Sequence, residues 1–244
     1  MAQARVVFTV NGVPVPVNAN VPNRRARLDE LLPVLREIDN QLIDVAVTAV
    51  EAQGEQISCA KGCSACCRRQ PVPVTPPEAF ALALLVEALP EPRRAAVRAV
   101  FAAAVDRLHE AGLYDVYMQR DPDTTREGAM VIVRRYMALA LTCPFLEDDA
   151  CSIHAVRPFV CRQYLVTSPP ALCDAPLDKP VKPLRAPAAF ATAMLRTAEA
   201  LSGQAQYTIP LVLALDYAQA HRAELERSFD AKAAFTQIVR ALAD

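Results

Sequence analysis

Tryptophan is absent from this 244-residue chain, glycine occurs six times and histidine three times. So few glycines argue against a glycine-rich phosphate loop, which needs residues free to take positive φ. The lack of tryptophan argues against an aromatic platform for stacking bases. Charge of one sign is missing as well: 26 basic and 27 acidic residues leave a net charge of −1, with no sustained run of either. A sequence-independent grip on nucleic acid needs a basic face, so no nucleic-acid partner is expected. The longest apolar stretch, Ala79 to Val86, is far shorter than the roughly 20 residues of a membrane helix, so no span is expected. The opening residues lack a basic leader followed by an apolar run and a small-residue cleavage site, which points to a reducing cytoplasm. There is no internal repeat and no low-complexity tract.

What the chain does have is an apolar majority, 53% of residues, and eight cysteines. A chain of this length and composition can bury a core without disulfides, so a disulfide framework, the habit of short secreted chains, is the weaker use of its thiols. Four of them fall within nine residues, Cys59-Ala-Lys-Gly-Cys63-Ser-Ala-Cys66-Cys67. Gly62 and the small residues between them allow a loop that turns several sulfurs toward one point, as a metal or cluster site requires. Cys143, Cys151 and Cys161 form a second bunch with Cys173 trailing, and two bunches suggest one site assembled across the fold.

Around these loops the pattern is helical. Residues 5 to 17 alternate about Asn11-Gly12 and predict a β-hairpin, with Pro14 and Pro16 placing the second strand at an edge or weakening its pairing. Leu31, Leu35, Ile38, Leu42, Val45, Ala46 and Ala49 predict an amphipathic helix from about Asp29 to Gln53. Thr75-Pro-Pro-Glu78 carries a capping box with proline in the first turn and predicts a helix to about Leu89. Further helices are expected over 92–111, over 125–141 after a polar connection at Asp121-Pro-Asp-Thr-Thr, and over 187–202, about 210–227 and 231–242. The 92–111 stripe of Val97, Val100, Phe101, Ala104, Val105 and Leu108 is expected in the core. Residues 143 to 185 hold seven prolines and four cysteines with little periodicity, so their order should depend on contacts at the site.

The second bunch reads Cys143-Pro-Phe-Leu-Glu-Asp-Asp-Ala-Cys151-Ser-Ile-His-Ala-Val-Arg157-Pro158-Phe-Val-Cys161-Arg162. Pro158 can open a short helical turn whose free amides favour a thiolate, and Arg157 and Arg162 flank it as candidate cofactor-binding cations, offsetting the negative charge of several thiolates on one metal. Lys61, Arg68 and Arg69 surround the first bunch, where they read as ordinary surface charges.

This joint pattern, Cys59-x3-Cys63-x2-Cys66-Cys67 with Cys143-Pro-Phe-Leu, Cys151-x-Ile-His and Arg157-Pro-x-x-Cys161-Arg162, resembles the bacterial cysteine-cluster family of zinc- or iron-chelating domains, the YkgJ-like family, over residues 55 to 165. The resemblance implies metal or iron–sulfur binding by Cys59, Cys63, Cys66, Cys67, Cys143, Cys151 and Cys161, without fixing a reaction. His154 departs from it, standing where a tyrosine is expected. Neighbouring side chains diverge in helix and strand alike, so Cys66 and Cys67 are awkward ligands for one mononuclear ion. Either one lies outside the metal's own ligands, or each serves a different metal. Seven cysteines with Cys173 or His154 would suffice for two tetrahedral zinc sites, while four thiolates would hold one iron–sulfur cluster, the others supporting it.

The expectation is therefore a mainly α-helical single metal-binding domain over 1–244, with an N-terminal hairpin (1–25), a cysteine-cluster core (55–165) and C-terminal helices (187–244). Its function is that of a cytoplasmic metal-binding protein holding an iron–sulfur cluster of the [4Fe–4S] kind, in an accessory, electron-transfer or metal-handling role toward an unknown protein partner or substrate. Alternatives are a zinc-stabilised interaction module and a cluster-dependent protein-modifying enzyme. Flagellin lysine methylases resemble the family in their cysteine cluster, although nothing outside the cluster supports a methyl-donor pocket. The spacing Cys59-x3-Cys63-x2-Cys66 is also that of radical S-adenosylmethionine enzymes. Against that reading stand the helix before the loop, Ala65 where an aromatic is usual, and the lack of an alternating strand–helix series.

Overall fold

The computed structural model describes the chain apart from residues 120, 122 and 244 and the side chain of residue 243. It is mainly α, with ten α-helices among the described residues and only short antiparallel strand pairs beyond the first hairpin. That hairpin joins β1 (Ala2–Val10) to β2 (Val13–Val21) through Asn11 at φ 51° and Gly12 at φ 81°, the doubly positive turn that matches strand twist. Val10 and Val13 flank the turn and pair with each other, so Pro14 and Pro16, opposite Thr9 and Val7, fall at non-hydrogen-bonded positions. Their missing donors would have faced the open edge, and both strands pair along their whole length. One face carries Phe8, Val10, Val17, Ala19 and Val21 into the core while alternate residues stay exposed.

Helix α1 (Leu32–Glu51) follows a single turn at Leu28–Leu31, with Pro33 in its first turn where its missing donor is harmless. Its buried face of Leu32, Leu35, Ile38, Leu42 and Ala46 packs under the hairpin. Beyond the first cysteine loop, β4 (Pro73–Val74) leads to α2 (Pro76–Ala88), α3 (Arg93–Glu110), α4 (Tyr114–Met118) and α5 (Arg126–Ala138). The expected capping box at the start of α2 is present. Val97, Phe101, Ala104 and Leu108 of α3 are buried as expected, whereas Val100 is 41% exposed. The polar connection expected at 121–125 includes residue 122 and so lies partly outside the described residues.

Residues 143–185 form β5 (Leu146–Glu147), β6 (Ala150–Cys151), the short helix α6 (Phe159–Gln163) and a turn at Pro170–Asp174, and α7 (Phe190–Ser202) follows. The helix expected over 210–227 is interrupted. Following β7 (Ile209–Pro210), a 3-10 turn at Leu211–Leu213 leads into α8 (Ala214–Ala220), and His221, at ψ 18°, separates it from α9 (Arg222–Leu225). The chain closes with β8 (Phe229–Asp230) and α10 (Ala231–Ala243). β7 pairs with β4, and β8 with β3 (Arg25–Ala26). Two apolar clusters result. One joins the hairpin, α1, α7, α10 and Phe159; the other joins α2, α3, Tyr136, Phe145, Ile153 and the 209–217 segment. The cysteine segments run between these two cores. No helix among the described residues is long and apolar enough to cross a membrane.

Candidate metal centre

All eight cysteines are free thiols; seven are half-buried and Cys173 is buried. The first loop is held at both ends. Ser58 N donates to Val166 O at 2.8 Å, and its hydroxyl to Thr167 O at 3.2 Å, while Gln70 Nε2 donates to Cys173 O at 2.8 Å. Gly62 takes φ 89°, with open space where a Cβ would stand. Cys66 and Cys67 open a 3-10 turn, Cys66–Arg68, whose winding brings their sulfurs to 3.9 Å. Metal–sulfur bonds of about 2.3 Å at tetrahedral angles put ligand sulfurs about 3.8 Å apart. The divergence expected of neighbouring side chains therefore does not separate this pair.

The second bunch docks directly on that turn, since Cys143 N donates to Cys67 O at 2.7 Å. Cys143 and Cys151 then flank the tight β5–β6 hairpin, in which Leu146 pairs with Cys151 and Asp148 and Asp149 take φ 47° and 57°. A surface clasp ties the same hairpin to the first loop: Ser64 Oγ donates to Asp149 at 3.0 Å, and Arg68 bonds both Asp149 and, at 3.1 Å, Ser64. Lys61 and Arg69 remain exposed.

Cys161 sits on α6, which is gripped from behind. Glu78, fully buried at the start of α2, accepts from Thr75 N and Thr75 Oγ1 through one carboxylate oxygen, both at 2.9 Å, and from Phe159 N through the other at 2.8 Å. Gln163 donates to Asp39 Oδ1 and Ala188 O, both at 2.8 Å. Arg162 bonds Asn40 Oδ1 at 2.7 Å, Arg157 O at 3.0 Å and Ala155 O. Its guanidinium thus fastens the 155–162 segment to α1, a framework use of a residue singled out as cofactor-binding. Arg157 is placed differently: its Nε is buried without a hydrogen-bond partner, and its charge lowers the pKa of Cys59 and Cys151 against the larger effect of burial. His154 is exposed, its pKa lowered by Arg157, then by burial and Arg162. Glu78, Asp39, Asn40, Gln163 and Asp149 were not singled out from sequence; only Glu78 carried a signal, as the last member of the capping box.

Burial is the main cause of high thiol pKa values, pushing Cys143 up to about 12 and raising Cys59, Cys151, Cys161 and Cys173, with smaller contributions at each from the charge of Cys66. Cys66 itself is raised foremost by its contact with Cys67. The two bunches meet where Cys143 N bonds Cys67 O, beside Cys66, whose charge is felt at thiols of both. The donor chemistry, sulfur throughout, fits zinc, iron or an iron–sulfur cluster. Among the described residues, no three Cys, His, Asp or Glu side chains already stand as a ligand set, so metal binding would require the thiols to move together.

A convergent set of free thiols on a helical frame, short of other donors, defines a thiol-rich metal-chelating domain. Residues 58–175, which hold all eight cysteines, match the model of the CxxCxxCC family, described as "Putative zinc- or iron-chelating domain", and it is this segment that is similar to that family. No curated protein and no solved structure was found to match the chain.

Proposed function

We propose that this protein carries an iron–sulfur cluster on its convergent cysteines and serves in a reducing cytoplasm as an accessory factor for electron transfer or metal handling. The observation that carries the reading is the donor set: the candidate ligands Cys59, Cys63, Cys66, Cys67, Cys143, Cys151 and Cys161 are all free thiols, the two bunches touch where Cys143 N bonds Cys67 O, and His154 is turned to solvent. Thiolate-only ligation is the habit of iron–sulfur clusters. Arg157, with an unpartnered buried donor near Cys59 and Cys151, supplies the positive charge and the hydrogen bond that a thiolate-bound cluster would use. One measurement favours zinc as the second reading. The 3.9 Å between the sulfurs of Cys66 and Cys67 is close to the edge of a tetrahedron around a single ion, which would make the centre a structural support for a partner-binding surface.

Purification without air, followed by metal and acid-labile sulfide analysis and a visible spectrum, tests the proposal. Iron with sulfide and a broad band near about 400 nm is the expected result. Stoichiometric zinc in a colourless solution moves the function to the second reading. Protein that binds neither, or a Cys63→Ala variant that keeps full metal content, overturns both.

A further inference from the structure

The N-terminal hairpin is a two-stranded sheet with an open edge on either side, and the two edges are built differently. Val10 and Val13 form a hydrogen-bonded pair beside the turn, so the N–H and C=O groups of Gln3, Arg5, Val7 and Thr9 point outward from β1. Those of Pro14, Pro16, Asn18 and Asn20 point outward from β2 in the same way. The prolines remove donors from the β2 edge, a common defence against stray pairing. β1, Ala-Gln-Ala-Arg-Val-Val-Phe-Thr-Val, has no proline, lysine or glycine to blunt it. Its outward residues are exposed, and among the described residues no backbone hydrogen bond joins them to another element. The inner face is unevenly covered as well. Val17, Ala19 and Val21 of β2 are buried, while their partners Val6, Ala4 and Ala2 on β1 are only half-buried; nearer the turn, Phe8 and Val10 are buried.

We propose that the β1 edge is an interaction surface on which a second copy of this chain pairs its own β1, antiparallel about a two-fold axis at Val6. The two hairpins then form one continuous sheet across a dimer. In that register Gln3 faces Thr9 of the second copy and Arg5 faces Val7, so every outward main-chain group of these residues finds a partner. Arg5 is the only charged residue of the strand, and no like charges are opposed. On the inner face Val6 meets Val6 of the second copy, Ala4 meets Phe8 and Ala2 meets Val10, setting small side chains against large ones. The half-covered end of each strand thus lies beside the buried end of the other, and the contact is self-complementary and closed. Neighbouring registers are worse. A slip of one pleat one way sets Arg5 against Arg5 of the second copy, and a slip the other way leaves Gln3 facing the Asn11 turn.

Sedimentation equilibrium of the full chain tests this, run in reductant so that the free thiols cannot cross-link. Wild type should show a monomer–dimer equilibrium with a Kd of about 1–100 µM, as suits a small interface. Val7→Pro removes an outward donor without touching a bond of the hairpin, as Pro16 already does on the opposite strand, and should leave a folded monomer over that range. Val7→Glu, facing Arg5 of the second copy, should tighten the dimer and Val7→Lys should loosen it, each by about two- to thirty-fold over the two symmetric pairs. Hydrogen exchange on wild type should find the amides of Arg5, Val7 and Thr9 protected in step with the dimer fraction, a readout that needs no variant. A wild type that stays monomeric throughout overturns the proposal and leaves the edge to an extended segment of another protein. A dimer that survives Val7→Pro, or one in which those amides exchange freely, overturns it too. Shifts of the same sign with Glu and Lys overturn the register.

Discussion

Glu78 offers the sharpest test of how the scaffold serves the site. Its buried carboxylate closes the α2 cap on Thr75 and at the same time holds Phe159 N, the first amide of α6, two residues before Cys161. Glu78→Ala would leave two buried amides, Thr75 N and Phe159 N, without acceptors, each worth about 1–3 kcal/mol. Burial raises the Glu78 pKa, ahead of the opposing bonds from Thr75 and Phe159, so removing the carboxyl also relieves a desolvation penalty. The net loss should be about 2–4 kcal/mol in denaturant unfolding of the metal-free chain. Loosening of α6 should then weaken zinc binding, measured by chelator competition, about tenfold for each 1.4 kcal/mol by which Cys161 is mispositioned. Thr75→Ala is the control. It removes the N-cap hydroxyl, for about 1 kcal/mol, yet leaves the bond to Phe159 N in place, so zinc affinity should hold. Equal loss of zinc affinity in the two variants, or none in Glu78→Ala, would refute the argument that Glu78 positions Cys161.

Asp39 has its pKa raised to about 7, by burial first and against the opposing bond from Gln163. A folded-state pKa above the unfolded value near 3.9 means that stability falls as pH rises from about 4 to about 7 and is level beyond. In the metal-free chain, Asp39→Asn should therefore be nearly neutral at pH 4.5 and stabilising by up to about 4 kcal/mol at pH 8; equal unfolding midpoints for variant and wild type at pH 8 would refute it. Metal loading has its own proton signature. Cys59, Cys143, Cys151 and Cys161, raised chiefly by burial, and Cys66, raised chiefly by its contact with Cys67, are protonated at neutral pH, so zinc must displace about one proton per ligating thiol. Calorimetry in two buffers of different ionisation enthalpy should give about four protons per zinc and tighter binding at higher pH. Release of fewer than about two would show the thiols already ionised.

Local rules made much of this legible. Asn11-Gly12 placed the hairpin, three- and four-residue spacing placed α1, and Thr75 with Glu78 marked the start of α2, because each signal is contained in a few consecutive residues. The cysteine bunches were visible for the same reason. What escaped is set by tertiary packing. The second use of Glu78 joins residues 81 apart, and the bond from Gln163 to Asp39 joins residues 124 apart. The Asp148-Asp149 turn lacks the glycine that advertised the first hairpin, although aspartate tolerates the same positive φ. The 3.9 Å approach of Cys66 and Cys67 depends on a 3-10 turn, where the angles of helix and strand do not apply.

The poor periodicity of residues 143–163 proves to be interleaving. Thiols alternate there with apolar anchors: Phe145 and Ile153 belong to one core and Phe159 to the other. Each thiol of this half is therefore held within two residues of a side chain that is fully or nearly fully buried, and its position follows from core packing that needs no metal. The Cys59–Cys67 loop has no such anchors. Its intervening residues, Ala60, Lys61 and Gly62, are exposed, and polar contacts at Ser58, Ser64 and Gln70 hold it in place. Bonds of that kind are individually weak in water, so the first loop is the less firmly held half. The candidate metal centre is thus asymmetric: one half is anchored by core packing and the other, turning at Gly62, is held by polar contacts.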